Sequence, residues 1–170
     1  KDYYSKFRID EFNYLKKIKK NNPNFSFTYA ILFNHDSIYR NKKFLLPRVI
    51  FSILKNDTIF LNSLIKENIV MDFSHAEDIC DGLIRIAFLN KKINKIILSS
   101  GRKTYLKDII KYLVKNNNLK LKLNYNTKKC GFCIVGKNNQ AKKILGWKIK
   151  KNIFLAVNEI YKDKLSNCKR

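Results

Sequence analysis

A chain of 170 residues that is 45% hydrophobic and 13% aromatic is too apolar for a disordered tail, and long enough to bury one ordinary core or those of two small lobes. Five glycines and two prolines exclude collagen-like, linker-like and low-complexity architectures. A formal charge of +23 points first to a phosphate-rich partner, but the lysines are spread along the chain beside asparagine and isoleucine, as an AT-rich coding sequence would place them, and gather in no basic arm.

Phe7, Phe12, Leu15 and Ile18 recur at near-helical spacing and predict an opening helix that Asn21-Asn22-Pro23-Asn24 ends. Phe25 to Phe33, apolar apart from Ser26 and Thr28, reads as a strand covered on both faces. Asn34-His35-Asp36-Ser37 follows at its C-terminal end, where open α/β sheets hold their ligands. A second helix is expected from Phe44 to Leu54, with Pro47 in its first turn. Thr58 to Val70 is ambiguous and fits two short strands. Ser74 with Glu77 three residues on forms a capping box for a third helix, whose apolar positions are Ile79, Leu83, Ile86 and Ala87. Ile96 to Leu98 reads as a short strand ending in Ser99-Ser100-Gly101. Thr104 then caps a fourth helix to about Lys115, with Leu106, Ile109, Ile110 and Leu113 as its stripe. Leu119 to Tyr125 alternates like a half-buried strand. Gln140 to Leu145 is a short helix stopped by Gly146, and Ile153 to Leu165 is the last one.

Cys130-Gly131-Phe132-Cys133 has CxxC spacing, but a zinc site needs a second ligand pair, and His35 and His75 show no ligand spacing. Reduced thiols and no metal are expected. No stretch approaches the length of a membrane span and no signal peptide is read, so the expectation is a soluble cytoplasmic protein with no membrane partner.

Three segments carry a family resemblance. Ile31-Leu32-Phe33-Asn34-His35-Asp36-Ser37, followed by Arg40, Phe44 and Arg48, resembles the strand and loop after the catalytic helix of GDP-mannose 4,6-dehydratases. Met71-Asp72-Phe73-Ser74-His75-Ala76-Glu77-Asp78 is similar to that family's Arg-Asp-aromatic-x-His-Ala-x-Asp segment. Ala141 to Lys148 resembles the Lys-Leu-Gly-Trp-Lys-Pro signature of many extended short-chain dehydrogenase/reductases, the NAD-dependent epimerase/dehydratase family. The order and spacing match over almost the whole chain.

The resemblance implies an α/β fold: the C-terminal remnant of an NAD(P)-binding Rossmann fold plus a small α/β sugar-nucleotide-binding lobe. Residues 1–36 would be the catalytic helix and following strand of the Rossmann lobe. Residues 37–170 would be mainly the substrate lobe, with some segments returning to the Rossmann sheet. It also implies NADP or NAD as cofactor, a nucleotide sugar as ligand with a GDP-sugar favoured, and a homo-oligomer if full length. Nucleic acid is not expected as a partner, since no recognised nucleic-acid motif occurs. Members of this family begin by oxidising the sugar's C4 hydroxyl; in the dehydratases water then leaves across C5 and C6, and the hydride returns.

The family's base is a tyrosine with a lysine four residues later, one helical turn away, so that both groups face the same way. The matching tyrosine is Tyr4, and Arg8 stands where the lysine is expected to support the phenolate and reach the nicotinamide ribose. Arginine keeps the charge but brings a larger fork. An alignment on Lys6 would put Asp2 in the tyrosine's place, and Tyr3 and Tyr4 also fit as ordinary helix aromatics. By the same resemblance His35 and Arg40 match cofactor-contacting positions, Asn34 and Arg48 match sugar-nucleotide contacts, and Lys128 or Lys129 falls where a binding arginine is expected. Met71 replaces another nucleotide-binding arginine, and Lys137 replaces an acidic residue. Asp72 and His75 read as structural, and Trp147 as a core anchor. The family's glycine-rich phosphate turn would lie upstream of Tyr4 and does not occur in these residues. The expected function is thus a nucleotide-sugar 4,6-dehydratase, truncated and inactive alone. An epimerase, or a non-catalytic descendant that binds a nucleotide sugar or pairs with another subunit, is the alternative; a basic nucleic-acid-binding protein is the remote one.

Overall fold

The computed structural model describes residues 2–129 and 133–168. Helix α1 (Tyr3–Asn21) starts where the Asp2 carboxylate accepts a hydrogen bond from the Tyr4 amide at 3.1 Å. Phe12, Leu15 and Ile18 are half-buried, but Phe7 is 63% exposed and no residue of the helix is buried. The face that packs is therefore narrower than its periodicity predicts. It holds on through aromatic contacts: the Phe12 ring centroid lies 5.1 Å from that of Tyr29 and 6.3 Å from that of Phe27.

Strand β1 (Tyr29–Leu32) pairs in parallel with β5 (Lys95–Leu98), Tyr29 opposite Lys95 and Leu32 opposite Leu98. The expected doubly covered strand from Phe25 to Phe33 is corrected here. Only four residues form the strand, none is buried, and Leu32 is exposed. Among the described residues β5 is its one hydrogen-bonded neighbour, so the opposite edge stays open, while Phe25 and Phe27 are used on α1's side. Directly beyond it, β2 (Asn34–Asp36) pairs in parallel with β4 (Phe73–His75), and β3 (Val70–Met71) pairs antiparallel with β6 (Thr104–Tyr105).

Helix α2 (Leu45–Leu54) carries Pro47 in its first turn and buries Leu46, Val49, Ile50 and Ile53. The region predicted as two short strands is instead helix α3 (Thr58–Lys66), followed by the two-residue β3. Two local signals explain it: Asp57 Oδ1 accepts from the Phe60 amide at 3.1 Å, and Leu61 and Ile65, one turn apart, are both fully buried. Helix α4 (Ala76–Ala87) is capped by His75, not Ser74: Nδ1 accepts from the Glu77 amide at 3.1 Å, and Nε2 meets Glu159 at 2.9 Å. Ser74 lies within β4, opposite His35 in the ladder, which moves the helix start one residue on. Leu83 and Ala87 of its predicted apolar face are exposed.

Helix α5 (Leu106–Asn116) buries its whole predicted stripe, yet Thr104 does not cap it. Thr104 pairs with Met71 in the β3–β6 ladder, and the first helical amide, Leu106, donates to the Ile69 carbonyl at 2.9 Å. From Leu119 to Tyr125 the side chains alternate as predicted, with Leu119, Leu121 and Leu123 packed on the core and Lys120 and Lys122 exposed. Among the described residues the segment makes no strand ladder. Its backbone is held by Asn62, whose Oδ1 accepts from the Asn124 amide at 2.9 Å. Helix α6 (Asn139–Leu145) ends at Gly146, whose φ of 60° is the left-handed conformation that glycine adopts without a Cβ penalty. Helix α7 (Ile153–Cys168) closes the chain.

Two cores result. The larger gathers α2, α3, α5 and α7 around Leu46, Leu61, Leu106 and Ile160. The smaller packs β5 against α4 and α6 through Ile79, Leu98, Leu145 and Trp147. Trp147 is fully buried with its indole N–H donating to the Asp78 carbonyl at 2.7 Å, the core anchor expected of it. Cys130 of the CxxC pair lies outside the described residues. Among those residues no cluster of three His, Cys, Asp or Glu could hold a metal ion, and no helix is long and apolar enough to cross a membrane.

Between the cores sits Asp72, completely buried. Its carboxylate accepts from the amides of Ser100 (2.9 Å), Gly101 (3.0 Å) and Gly136 (3.1 Å), and from the Ser100 hydroxyl. These bonds offset the cost of removing a charge from water. Substituting Asp72→Ala strands those donors, and a loss of about 3–5 kcal/mol is expected, scaled from breaking a buried charge network. Urea unfolding monitored by circular dichroism would measure it.

Candidate active site

Helix α1 lies over the β1–β5 pair and leaves a cleft of about 730 Å³ between them. Tyr4, Arg8 and Phe12 reach it from the helix, Ile31 and Leu32 form its apolar wall on β1, and His35 and Lys95 complete it. The structure thus brings three of the sequence-predicted residues, Tyr4, Arg8 and His35, to one place. The i, i+4 spacing does what it should: Arg8 Nε donates to the Tyr4 phenol oxygen at 3.3 Å.

Arg8 is also held from its other side. Its Nη1 meets Glu11 at 2.8 Å, and the Tyr29 hydroxyl donates to the same Glu11 oxygen at 3.1 Å. The Tyr4 oxygen and then Glu11 reinforce the guanidinium charge and raise its pKa further; Arg8 and Tyr29 in turn hold Glu11 below the usual carboxylate range. Burial, and next Glu11, push the Tyr29 phenol up, so it stays a neutral donor. Since a guanidinium does not deprotonate in proteins, Arg8 can orient the phenol and supply fixed charge but cannot carry a proton. Tyr4 is the one group of this pair able to exchange one.

His35 Nδ1 lies 2.8 Å from the Phe33 carbonyl. A carbonyl can only accept, so Nδ1 carries the proton in the neutral ring and Nε2 is left as the acceptor. Lys95 was missed by sequence reasoning. It is the first residue of β5 opposite Tyr29, and that register depends on a pairing between segments far apart in the chain.

The other predicted residues lie elsewhere. Asn34 lines a neighbouring cleft with Leu32, Val70, Met71 and Ile134, and its Nδ2 reaches the Asp72 carbonyl at 3.4 Å. Arg40 stacks 3.7 Å over the Phe44 ring and approaches Asp36. Arg48 lies 4.6 Å over the Phe60 ring on the exposed side of α2. Lys128 is ion-paired to Glu67 at 2.8 Å, and its carbonyl accepts from Asn68.

By sequence, no protein-family model and no curated protein matches this chain. Solved structures do share its fold. RMD from Pseudomonas aeruginosa, complexed with NADPH, superposes on 90% of the chain with a TM-score of 0.73 at 16% identity, using 52% of its own length. UDP-glucuronic acid 4-epimerase from Bacillus cereus, with NAD, covers 91% of the chain and 49% of itself, with a TM-score of 0.71 at 15% identity. dTDP-glucose 4,6-dehydratase from Bacillus anthracis, with NAD, covers 84% and 45%, with a TM-score of 0.67 at 13% identity. The chain therefore spans about half the length of these proteins, and at such identities the likeness establishes the α/β fold.

Asp36, next to His35, is almost fully buried. Arg40 Nε stands 3.7 Å from its Oδ1, inside ion-pair range but too far for a hydrogen bond, and neither atom has another partner. Burial outweighs that attraction and pushes the carboxyl up to about 6. A raised folded pKa means the native state holds a proton that the unfolded chain releases from about pH 4 upward. Stability should fall as pH rises from about 4 to about 6, by roughly 2–3 kcal/mol, and then level off. Asp36→Asn should remove that slope and be more stable than the natural chain at about pH 7; denaturant midpoints across this range would check both.

Proposed function

We propose that the cleft under α1 is the reaction end of a nucleotide-sugar-modifying oxidoreductase-type site that works with NAD or NADP. A 4,6-dehydratase acting on a GDP-sugar is the favoured form, with a C4 epimerase as the close alternative. The single observation that carries it is the Tyr4–Arg8 pair, one turn apart and in contact at 3.3 Å, opening on the same cleft as His35. The shared fold with enzymes solved with NAD or NADPH, among them one named a dehydratase and one an epimerase, supports the reading.

The donor set fits the nicotinamide end of such a cofactor. Arg8 and Lys95 offer donors for ribose and amide oxygens, His35 Nε2 offers an acceptor for a ribose hydroxyl, and Ile9, Ile31 and Leu32 offer an apolar surface for a flat ring. When bound, the dinucleotide would supply the hydride acceptor. Tyr4, held as the phenolate by the Arg8 charge, would take the proton from the sugar's C4 hydroxyl and become the neutral phenol, and the Glu11–Tyr29 pair would keep Arg8 in place. In this reading residues 1–36 and β5 belong to the dinucleotide lobe, and residues 37–170 otherwise mainly to the substrate lobe. Tyr3, Phe7 and Tyr14, exposed on α1, support a homo-oligomer that covers them.

A second reading, a descendant that binds a nucleotide sugar without turnover, is favoured by one observation: Arg8 stands where the catalytic lysine is expected, and its guanidinium is engaged by Tyr4 and Glu11. The test is conversion of GDP-mannose, UDP-glucuronic acid and dTDP-glucose by the natural polypeptide with NAD or NADP, products identified by NMR. A 4-keto-6-deoxy product assigns a dehydratase and a C4 epimer an epimerase. Tyr4→Phe should lower kcat about 100-fold or more, the typical share of a general base. Calorimetric binding of a nucleotide sugar with no product supports the second reading, while an unchanged rate in Tyr4→Phe, or no binding of any nucleotide sugar, overturns both.

A further inference from the structure

We propose that a second cleft, at the C-terminal end of β5, is a binding site for a compact polyanion carrying two or more phosphate groups. It encloses about 790 Å³ between the loop Ser100–Arg102, the loop Val135–Asn139 and the segment Gly146–Ile149 after α6. It shares no lining residue with the Tyr4 cleft. Ligands of open α/β sheets sit in crevices beyond the carboxyl ends of strands, and the first of these loops is the continuation of β5.

Charge identifies the ligand class. Arg102, Lys137, Lys142 and Lys148 all line this concavity, and no Asp or Glu does. Some cations elsewhere are ion-paired, among them Lys128 with Glu67, Lys151 with Glu77 and Arg85 with Asp81. Among the described residues, none of the four cleft cations has a carboxylate within 4.0 Å. Four like charges sharing one hollow repel one another, and an anion that meets all of them relieves the repulsion. Arg102 offers a planar fork for a phosphate, and the lysines add point charges.

The frame beneath them is rigid. Asp72 spends its carboxylate on the amides of Ser100, Gly101 and Gly136, so one buried group fastens both loops and turns its own charge into the backbone. Asn138 Nδ2 donates to the Ser99 carbonyl at 2.9 Å and locks the second loop to the first. Gly136 leaves no room for a side chain, since a Cβ there would run into Ser99 and into the Phe33 ring. Loops held this way lose little freedom on binding.

Size and chemistry narrow the ligand further. A nucleic acid needs an extended basic face with exposed aromatic rings for bases to stack on, whereas these cations face a hollow of small-molecule size. The single aromatic side chain in the lining, Trp147, is fully buried and offers no stacking surface. Recognition is therefore by charge, and a short phosphate chain meets it.

The experiment is calorimetric titration of the full chain with inorganic tripolyphosphate, with backbone amides followed by NMR. One site per chain is expected, with the Gly101 and Gly136 amides among the resonances that shift and an affinity that weakens as salt is raised. The double reversal Lys142→Glu, Lys148→Glu should weaken binding at least tenfold with an unchanged thermal midpoint. The equal reversal Lys17→Glu, Lys20→Glu on α1 should leave affinity within twofold. Equal losses in both variants would show that the bulk charge of +23 does the binding and would overturn the site, as would unchanged affinity in the cleft variant. Shifts confined to other amides, or tighter binding of a single-stranded oligonucleotide of matched charge, would also overturn it. Because the NMR reading uses the natural chain, it decides the matter even if a variant fails to fold.

Discussion

A buried carboxylate is costly unless every lone pair finds a donor, and the architecture of this chain is arranged around meeting that requirement at Asp72. Its donors come from loops 28 and 64 residues downstream, Ser100 and Gly101 after β5 and Gly136 before α6. Its own carbonyl accepts from Asn34 at the start of β2. One residue thereby joins the loop after β5, the β2–β4 pair and the segment before α6, and the cleft beyond β5 owes two of its walls to that junction.

The smaller core uses the same logic on a second acid. Asp78 accepts from the Lys150 and Lys151 amides with its carboxylate and from the Trp147 indole with its carbonyl. The start of α4 is thus tied to the segment that follows α6, and the Leu-Gly-Trp turn is seated on it. Backbone amides, not lysine side chains, satisfy both buried acids. In a chain with 36 Lys and Arg against 13 Asp and Glu, that leaves most cations to the surface, where a partner can use them.

The arginine at position 8 changes how the Tyr4 cleft is organised. A lysine ammonium would be a single mobile charge; the guanidinium divides its donors, Nε to the phenol and Nη1 to Glu11. The geometry of the pair therefore depends on the acid one turn further on and on the Tyr29 hydroxyl across on β1. With arginine the charge is held in place and its freedom of movement is reduced.

Much of this was legible from residues near in sequence. The helix of α2 with Pro47 in its first turn, the apolar stripe of α5, the glycine stop of α6, the Tyr4–Arg8 contact and the burial of Trp147 all follow from spacing and side-chain type, because a helix satisfies its own backbone and needs only one apolar face. What could not be read is whatever depends on a distant partner. Ser74 and Thr104 look like helix caps until strands β4 and β6 claim their backbones. Leu119 to Tyr125 alternates as a strand does but meets no strand to pair with, and Phe25 to Phe33 looks doubly covered although one edge of β1 is open among the described residues. The entry of Lys95 into the Tyr4 cleft, the exclusion of Arg40, Arg48 and Lys128 from it, and the gathering of four cations beyond β5 were likewise decided only by tertiary structure. Hydrogen-bond register and loop position are set by the whole set of contacts, and no local window of sequence contains them.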